Sequence, residues 1–252
     1  GAGMMDCKNA LNEAEGNFDK AIEIIRKKGQ AIAAKRSDRQ ASEGCVLAAS
    51  NGEFAAVVAI KCETDFVAQN ADFIALTQSI LDAAMANKIA DKEALLALEI
   101  DGRSIADLIT DRSGITGEKM ELGFYEVVNG AATVAYIHPG NKLATVVAFN
   151  EALDAQVARE VAMQVAAMNP IAVKRDEVPA NIIATELEVG REKARQEGKP
   201  EAMLDKIAEG RLNKFYKEST LLEQDFIKDA KVSVQQYLKQ VSASLTATAF
   251  KR

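Results

Sequence analysis

The chain has no tryptophan, a single histidine (His138) and three cysteines (Cys7, Cys45 and Cys62) without a Cys-x-x-Cys pair. A lone histidine gives no Ser-His-Asp set. A zinc site would need those four widely spaced residues to converge, so no metal is expected. An odd, sparse cysteine count builds no disulfide framework and fits a reducing compartment, so the expected location is cytoplasmic. No apolar run approaches the roughly 20 residues of a membrane span. Positive charge is not in excess either, since 31 Lys and Arg face 37 Asp and Glu for a net charge of −6. That argues against nucleic-acid binding as the main role, which needs a basic face. No glycine loop is fit to hold a nucleotide. The stretch Gly114 to Lys119 has a superficial likeness to a phosphate loop, but it lacks the Gly-x4-Gly-Lys-Ser/Thr spacing and follows no clear strand. No catalytic residue and no cofactor are expected, and a binding protein is the simpler reading. An enzyme using Cys62 or Cys7 as nucleophile is a rival, although no nearby histidine supports a thiolate.

What the chain does have is a foldable composition. Of its 252 residues, 48% are hydrophobic and 27% charged, which suits one large or two modest domains. One stretch organises the rest. Ala55 to Ile60 reads as a strand buried on both faces. After it comes a polar stop, and then an apolar-periodic helix from about Asn70 to Asn87, carrying Phe73, Ile74, Leu76, Ile80, Leu81 and Ala84. Between strand and helix lie Thr64, Asp65, Phe66 and Val67, a carboxylate beside a large aromatic on a connection of the kind that often carries function. Phe66 is either tucked under the loop, as most Phe side chains are, or offered to a partner. Asp65 either caps the following turn or takes part in that contact.

Read in order, residues 1–30 give two short helices around the break Glu15-Gly16-Asn17. Asn17 is the N-cap of the second, and Gly29 closes it. Two helices this short bury little by themselves, so a third, preceding Gly1, is expected. The chain starts inside a helical pattern and stops just after the strand-like Thr246 to Phe250, so both ends read as trimmed. Residues 31–43, with Lys35, Arg36 and Arg39, read as a mildly basic solvated linker. Cys45 to Ala49 and Phe54 to Cys62 form a hairpin across Asn51-Gly52. Short helices follow at about Lys92 to Leu98 and from Ser104, with Asp107 in the capping-box position. Lys119 to Val128 and Ala131 to Ile137 are expected to pair across Asn129-Gly130. After the turn His138-Pro139-Gly140-Asn141 comes a third strand, Lys142 to Phe149.

There is a faint repeat. Ala56-Val57-Val58-Ala59-Ile60 and Thr145-Val146-Val147-Ala148-Phe149 are near copies, each followed by an apolar helix, which suggests two similar antiparallel α+β halves. The second copy has no Thr-Asp-Phe insertion, an asymmetry that favours function for the first. Residues 176–218 read as an antiparallel helical hairpin with its tip at Gly198 to Pro200, a shape suited to self-association. Ser233 with Gln236 caps a last helix, Val234 to Gln240.

Cys62-Glu63-Thr64-Asp65-Phe66-Val67-Ala68-x-Asn70 resembles the signature of the bacterial elongation factor Ts family, nucleotide exchange factors for elongation factor Tu. The resemblance runs the length of the chain, most specifically at Met4 to Leu11, Cys62 to Phe73, Tyr136 to Gly140, Glu209 to Phe215 and Ser233 to Lys239. Pro139 departs from some members, which have His-Gly there. The fold it implies is α+β. A small N-terminal module like the ubiquitin-associated (UBA) domain, residues 1–30, lacks its first helix, and a linker spans 31–43. The two core halves are 44–137 and then 138–175 with 219–230. The hairpin 176–218 serves dimer contacts in some members, and 231–252 forms a C-terminal module.

The function it implies is binding elongation factor Tu and speeding GDP release. Thr64, Asp65, Phe66 and Val67 would intrude near the helix supporting Tu's magnesium and phosphate site. Met4, Met5 and Lys8 would hold a second patch, while Gly117 and His138 would support contacts from the second half. From the residues alone, Met4 and Met5 also read as core, and His138 as a locally bonded turn residue. A scaffold, or a protein that binds ubiquitin-like folds, is the alternative resting on the N-terminal helices alone. It leaves the Thr-Asp-Phe loop unexplained.

Overall fold

A computed structural model describes residues 2–252, and Gly1 lies outside the described residues. The chain is mixed α+β with small antiparallel sheets. It divides into two compact units, one of residues up to Val127 with Ile137–Ala144, the other of Val128–Tyr136 with Thr145–Arg252.

The first unit opens with α1 (Met4–Glu13) and α2 (Phe18–Lys35). Asn17 caps α2 by accepting the Lys20 N–H, and Glu15 and Gly16 make the break at positive φ. Gly29 does not close the helix, as its composition suggested. It is buried in the middle of α2, with its Cα against Gly114. The close approach depends on Gly114, where a Cβ would fall 2.3 Å from Gly29 Cα and hold the two backbones apart.

There follow β1 (Glu43–Ser50), β2 (Phe54–Cys62), α3 (Asp65–Ala68), α4 (Ala71–Ala86) and α5 (Lys92–Ala97). A two-rung ribbon, β3 (Glu99–Ile100) with β4 (Arg103–Ser104), leads to α6 (Ile105–Thr116) and β5 (Glu121–Asn129). β1 and β2 are antiparallel, and Asn51 N–H donates to Phe54 O, so the turn residues are Gly52 and Glu53, one position later than Asn51-Gly52. Gly52 takes the positive φ a Gly-first two-residue turn needs. The sheet order is β1-β2-β5, with β2 in the centre and almost wholly buried. α4 covers it, placing Phe73, Ile80, Leu81 and Ala84 in one core with Ile60, Leu95 and Ile105. Ser104 caps α6 through the Asp107 N–H, the half of the capping box that the sequence placed there.

The second unit holds β6 (Ala132–Ile137), β7 (Ala144–Phe149) and α7 (Ala155–Met168). After it come α8 (Ala180–Gln196), α9 (Leu204–Ser219), β8 (Asp225–Phe226), β9 (Asp229–Ser233), α10 (Val234–Val241) and β10 (Ala247–Lys251). Its sheet runs β10-β7-β6. The expected pairing of β5 with β6 is therefore corrected, because the two strands belong to different sheets and Asn129-Gly130 carries the chain from one to the other. Gly130 suits this passage, since a Cβ there would fall 2.8 Å from Phe149 O. The near-copy segments occupy equivalent places. Ala56–Ile60 lies in the centre strand of the first sheet and Thr145–Phe149 in that of the second, which explains why both read as continuous apolar runs. α8 and α9 lie side by side, with Gly190 packed on Ala208 and ion pairs Arg191–Asp205 and Arg211–Glu197 along their length. Ser233 and Gln236 form the reciprocal capping box expected at α10.

Candidate functional site

β2 ends at Cys62, and the chain must turn out of a buried strand before α4 can begin. Thr64 ends the extended segment and caps α3, its hydroxyl accepting the Val67 N–H at 3.4 Å. The cap is thus Thr64, and Asp65 stands exposed in the first turn, a favourable place for a carboxylate beside the partial positive charge of a helix start. Phe66 comes next. Its side chain is 84% exposed, among the most exposed large apolar groups of the chain, so the tucked alternative is excluded. Val67 packs against the core of the first unit and Ala68 is buried. Burying the residues on the C-terminal side of Phe66 turns the aromatic outward.

The base of this turn is locked by Glu118 and Lys119, just after α6. Glu118 Oε1 accepts N–H bonds from Glu63 (3.1 Å) and Thr64 (2.9 Å), and its Oε2 accepts the Thr64 hydroxyl at 2.6 Å. In exchange, Glu63 Oε1 accepts the Lys119 N–H at 2.7 Å. Charge-assisted hydrogen bonds of this length are roughly twice as strong as neutral ones. Glu63 also lies within 3.7 Å of both Arg36 and Arg39, and Lys119 Nζ donates to Ser37 O. The basic segment after α2 is therefore tied to the loop and is more than a solvated connector.

Gly117 gains its meaning here. It ends α6 in the left-handed conformation, with φ of 73°, and so delivers Glu118 to the loop. The signal that could have found Glu118 was a carboxylate directly after a helix-ending glycine, in the stretch dismissed as a failed phosphate loop.

His138 lies exposed in a turn closed by its N–H to Leu143 O (2.8 Å) and by Asn141 N–H to His138 O (3.2 Å), with Gly140 and Asn141 at positive φ. The turn is hung on β1, because Val46 N–H donates to Asn141 O at 2.7 Å. Next to it, Lys142 Nζ bonds Glu43, and the carboxylates of Glu43 and then Asp65 hold its ammonium pKa above the ordinary value. The His138 turn and the Asp65-Phe66 turn are thus neighbours across β1. Met4, Met5 and Lys8 form a second patch on α1, where Met4 is 87% and Met5 63% exposed, so neither methionine is core.

Cys62 is no nucleophile. Its thiol is buried and donates to Thr64 O, and burial, reinforced by the nearby Glu118 charge, pushes its pKa up to about 12. Burial also raises that of Cys45.

The family profile described as Elongation factor TS matches residues 63–252. The chain belongs to the elongation factor Ts family. Its full length is 64% identical to Elongation factor Ts of Porphyromonas gingivalis, covering 92% of that protein. It is 58% identical to that of Azobacteroides pseudotrichonymphae, again over 92% of the relative, and 47% identical to that of Phocaeicola vulgatus over 94%. Family membership places the chain among the translation elongation factors of protein biosynthesis. Within the described residues, no helix is long and apolar enough to cross a membrane.

Proposed function

We propose that this chain is the guanine-nucleotide exchange factor for elongation factor Tu, acting by binding and not by bond chemistry. The observation that carries this reading is Phe66, an aromatic 84% exposed at the head of a turn whose base is hydrogen-bonded. Nothing in the fold needs it there. Fully burying a Phe side chain contributes roughly 1.5–3 kcal/mol, or about 10- to 150-fold in an equilibrium constant. Spent on nucleotide-free Tu in preference to GDP-bound Tu, that energy weakens GDP by the same factor, because coupling between two ligands is reciprocal.

Asp65 and Phe66 wedge beside Tu's magnesium and phosphate site, and disturbed magnesium coordination weakens diphosphate binding. Thr64 and Val67 fix the wedge from below, Gly117 sets the base of the loop, and His138 adds a contact from the neighbouring turn. Met4, Met5 and Lys8 grip a second patch, where the flexible thioethers suit an adaptable apolar contact. Residues 1–30 act as the UBA-like module that presents it. The helical pair within 176–218 supplies the surface for a homodimer.

The test is release of a fluorescent GDP from purified Tu. The wild-type chain should accelerate it strongly. Phe66→Ala should lose most of the acceleration with its melting temperature unchanged, since the exposed ring supports nothing in the fold. A Phe66→Ala protein that melts several degrees lower would show that the ring is structural.

A further inference from the structure

We infer that Glu118 is a positioning residue for exchange: its carboxylate, bonded to the Glu63 and Thr64 N–H groups and the Thr64 hydroxyl, holds the Asp65-Phe66 turn in the pose that meets the partner. This rests on the wedge reading above and adds to it the device that makes the wedge stiff.

Phe66 cannot hold itself in place, because 84% of it touches only solvent. α3 cannot hold it either. It is four residues long, and isolated helices shorter than about 12 residues are marginal in water. The pose must come from the two ends of the turn. The C-terminal end is fixed by buried Ala68 and by Asn70, which caps α4 through the Asp72 N–H. The N-terminal end is fixed by Glu118, with three donors converging on one carboxylate. Glu118 is itself held, its carbonyl accepting the Ser113 hydroxyl at 2.5 Å and its N–H meeting Thr116 Oγ1 at 3.3 Å. The loop answers through Glu63, whose carboxylate holds Lys119 N–H. Each segment thus carries the carboxylate that the other's backbone needs. Without Glu118, the turn would have to be ordered during binding, and the ordering entropy would be subtracted from affinity.

The experiment uses the absence of tryptophan from this chain. Phe66→Trp makes a single-tryptophan protein with its reporter on the wedge. Its fluorescence anisotropy is measured with Glu118 intact, with Glu118→Ala and with Glu118→Gln. GDP release from Tu is followed for Glu118→Ala and Glu118→Gln in the Phe66 background, beside Phe66→Ala. Glu118→Ala should keep its far-UV spectrum, lower the tryptophan anisotropy and raise the concentration for half-maximal exchange about tenfold or more, the order expected from re-ordering a few residues. Glu118→Gln keeps an acceptor of the same shape and should recover most of both. Unchanged anisotropy in Glu118→Ala would overturn the clamp. A loosened reporter with unimpaired exchange would overturn its role in exchange. If Glu118→Ala does not fold, Thr64→Val and Thr64→Ser replace it. The serine should preserve exchange and the valine reduce it, and equal activity would overturn the proposal. Full exchange by Phe66→Ala would mark a different failure, that of the wedge reading itself.

Discussion

Two glycines at one crossing should respond in opposite ways to the same substitution. Where α2 meets α6, Gly29 faces Gly114. A Cβ built on Gly29 would sit 3.6 Å from Gly114 Cα and 3.9 Å from Thr110 O, ordinary van der Waals distances. A Cβ built on Gly114 would sit 2.3 Å from Gly29 Cα and 3.3 Å from its carbonyl carbon. Both atoms are backbone, so no side chain can swing away, and the helices must part by about 1 Å to reach a tolerable contact. Overpacking of this kind costs about 1–3 kcal/mol. Replacing a mid-helix glycine by alanine gains up to about 1 kcal/mol from propensity. Gly29→Ala should therefore leave stability unchanged or raise it by up to about 1 kcal/mol. Gly114→Ala should lower it, because the steric cost outweighs the propensity gain. Urea unfolding of the two variants beside wild type, followed by far-UV circular dichroism, measures the difference. Because α2 carries α1 with Met4 and Met5, Gly114→Ala should also weaken exchange more than Gly29→Ala does. If Gly114→Ala proves as stable as Gly29→Ala, the close crossing is wrong.

Two further outcomes concern titratable groups. Cys62, with its thiol pushed up to about 12 and buried against Thr64 O, should react with a thiol reagent at pH 8 only as fast as the protein unfolds. Labelling within seconds in the folded chain would refute its burial. Glu160 accepts the hydroxyl of Tyr237 and an ammonium hydrogen of Lys228, and these bonds hold its pKa below the usual 4.5. A depressed carboxyl stabilises the fold above its ordinary pKa, and that stability is lost as pH falls through the folded value. Glu160→Gln should therefore be less stable than wild type at pH 7, and the gap should narrow below about pH 4.5 as both are titrated. A gap independent of pH would mean that the charge of Glu160 contributes nothing.

Much of the fold was legible because its signals are local. Asn17, Ser104 and Ser233 each cap a helix with their own side chain, and a cap needs only residues within one turn of it. The continuous apolar runs at Ala56–Ile60 and Thr145–Phe149 mark the two centre strands, since a strand covered on both faces shows no alternation. The Thr-Asp-Phe stretch stood out as a carboxylate beside a large aromatic on the connection between a strand and a helix.

What the sequence could not decide was settled by pairs of residues far apart in the chain. Whether Phe66 is core or surface depends on Val67 and Ala68 reaching the core under it. The lock on that turn comes from Glu118, 54 residues away from Thr64, and the helix-ending glycine before it does not say which loop it reaches. Gly29 looked like a helix end, since glycine at a helix terminus and glycine at a helix crossing are the same letter. Only the approach of Gly114 distinguishes them. Asn129-Gly130 looked like a hairpin tip for the same reason, a turn dipeptide being equally able to fold a strand back or to hand the chain to another sheet. The sequence determined which segments are helix and strand and where an unusual loop interrupts them. The tertiary structure decided which side of that loop faces solvent and what keeps it there, because both depend on long-range packing and hydrogen bonds between segments that are distant in sequence.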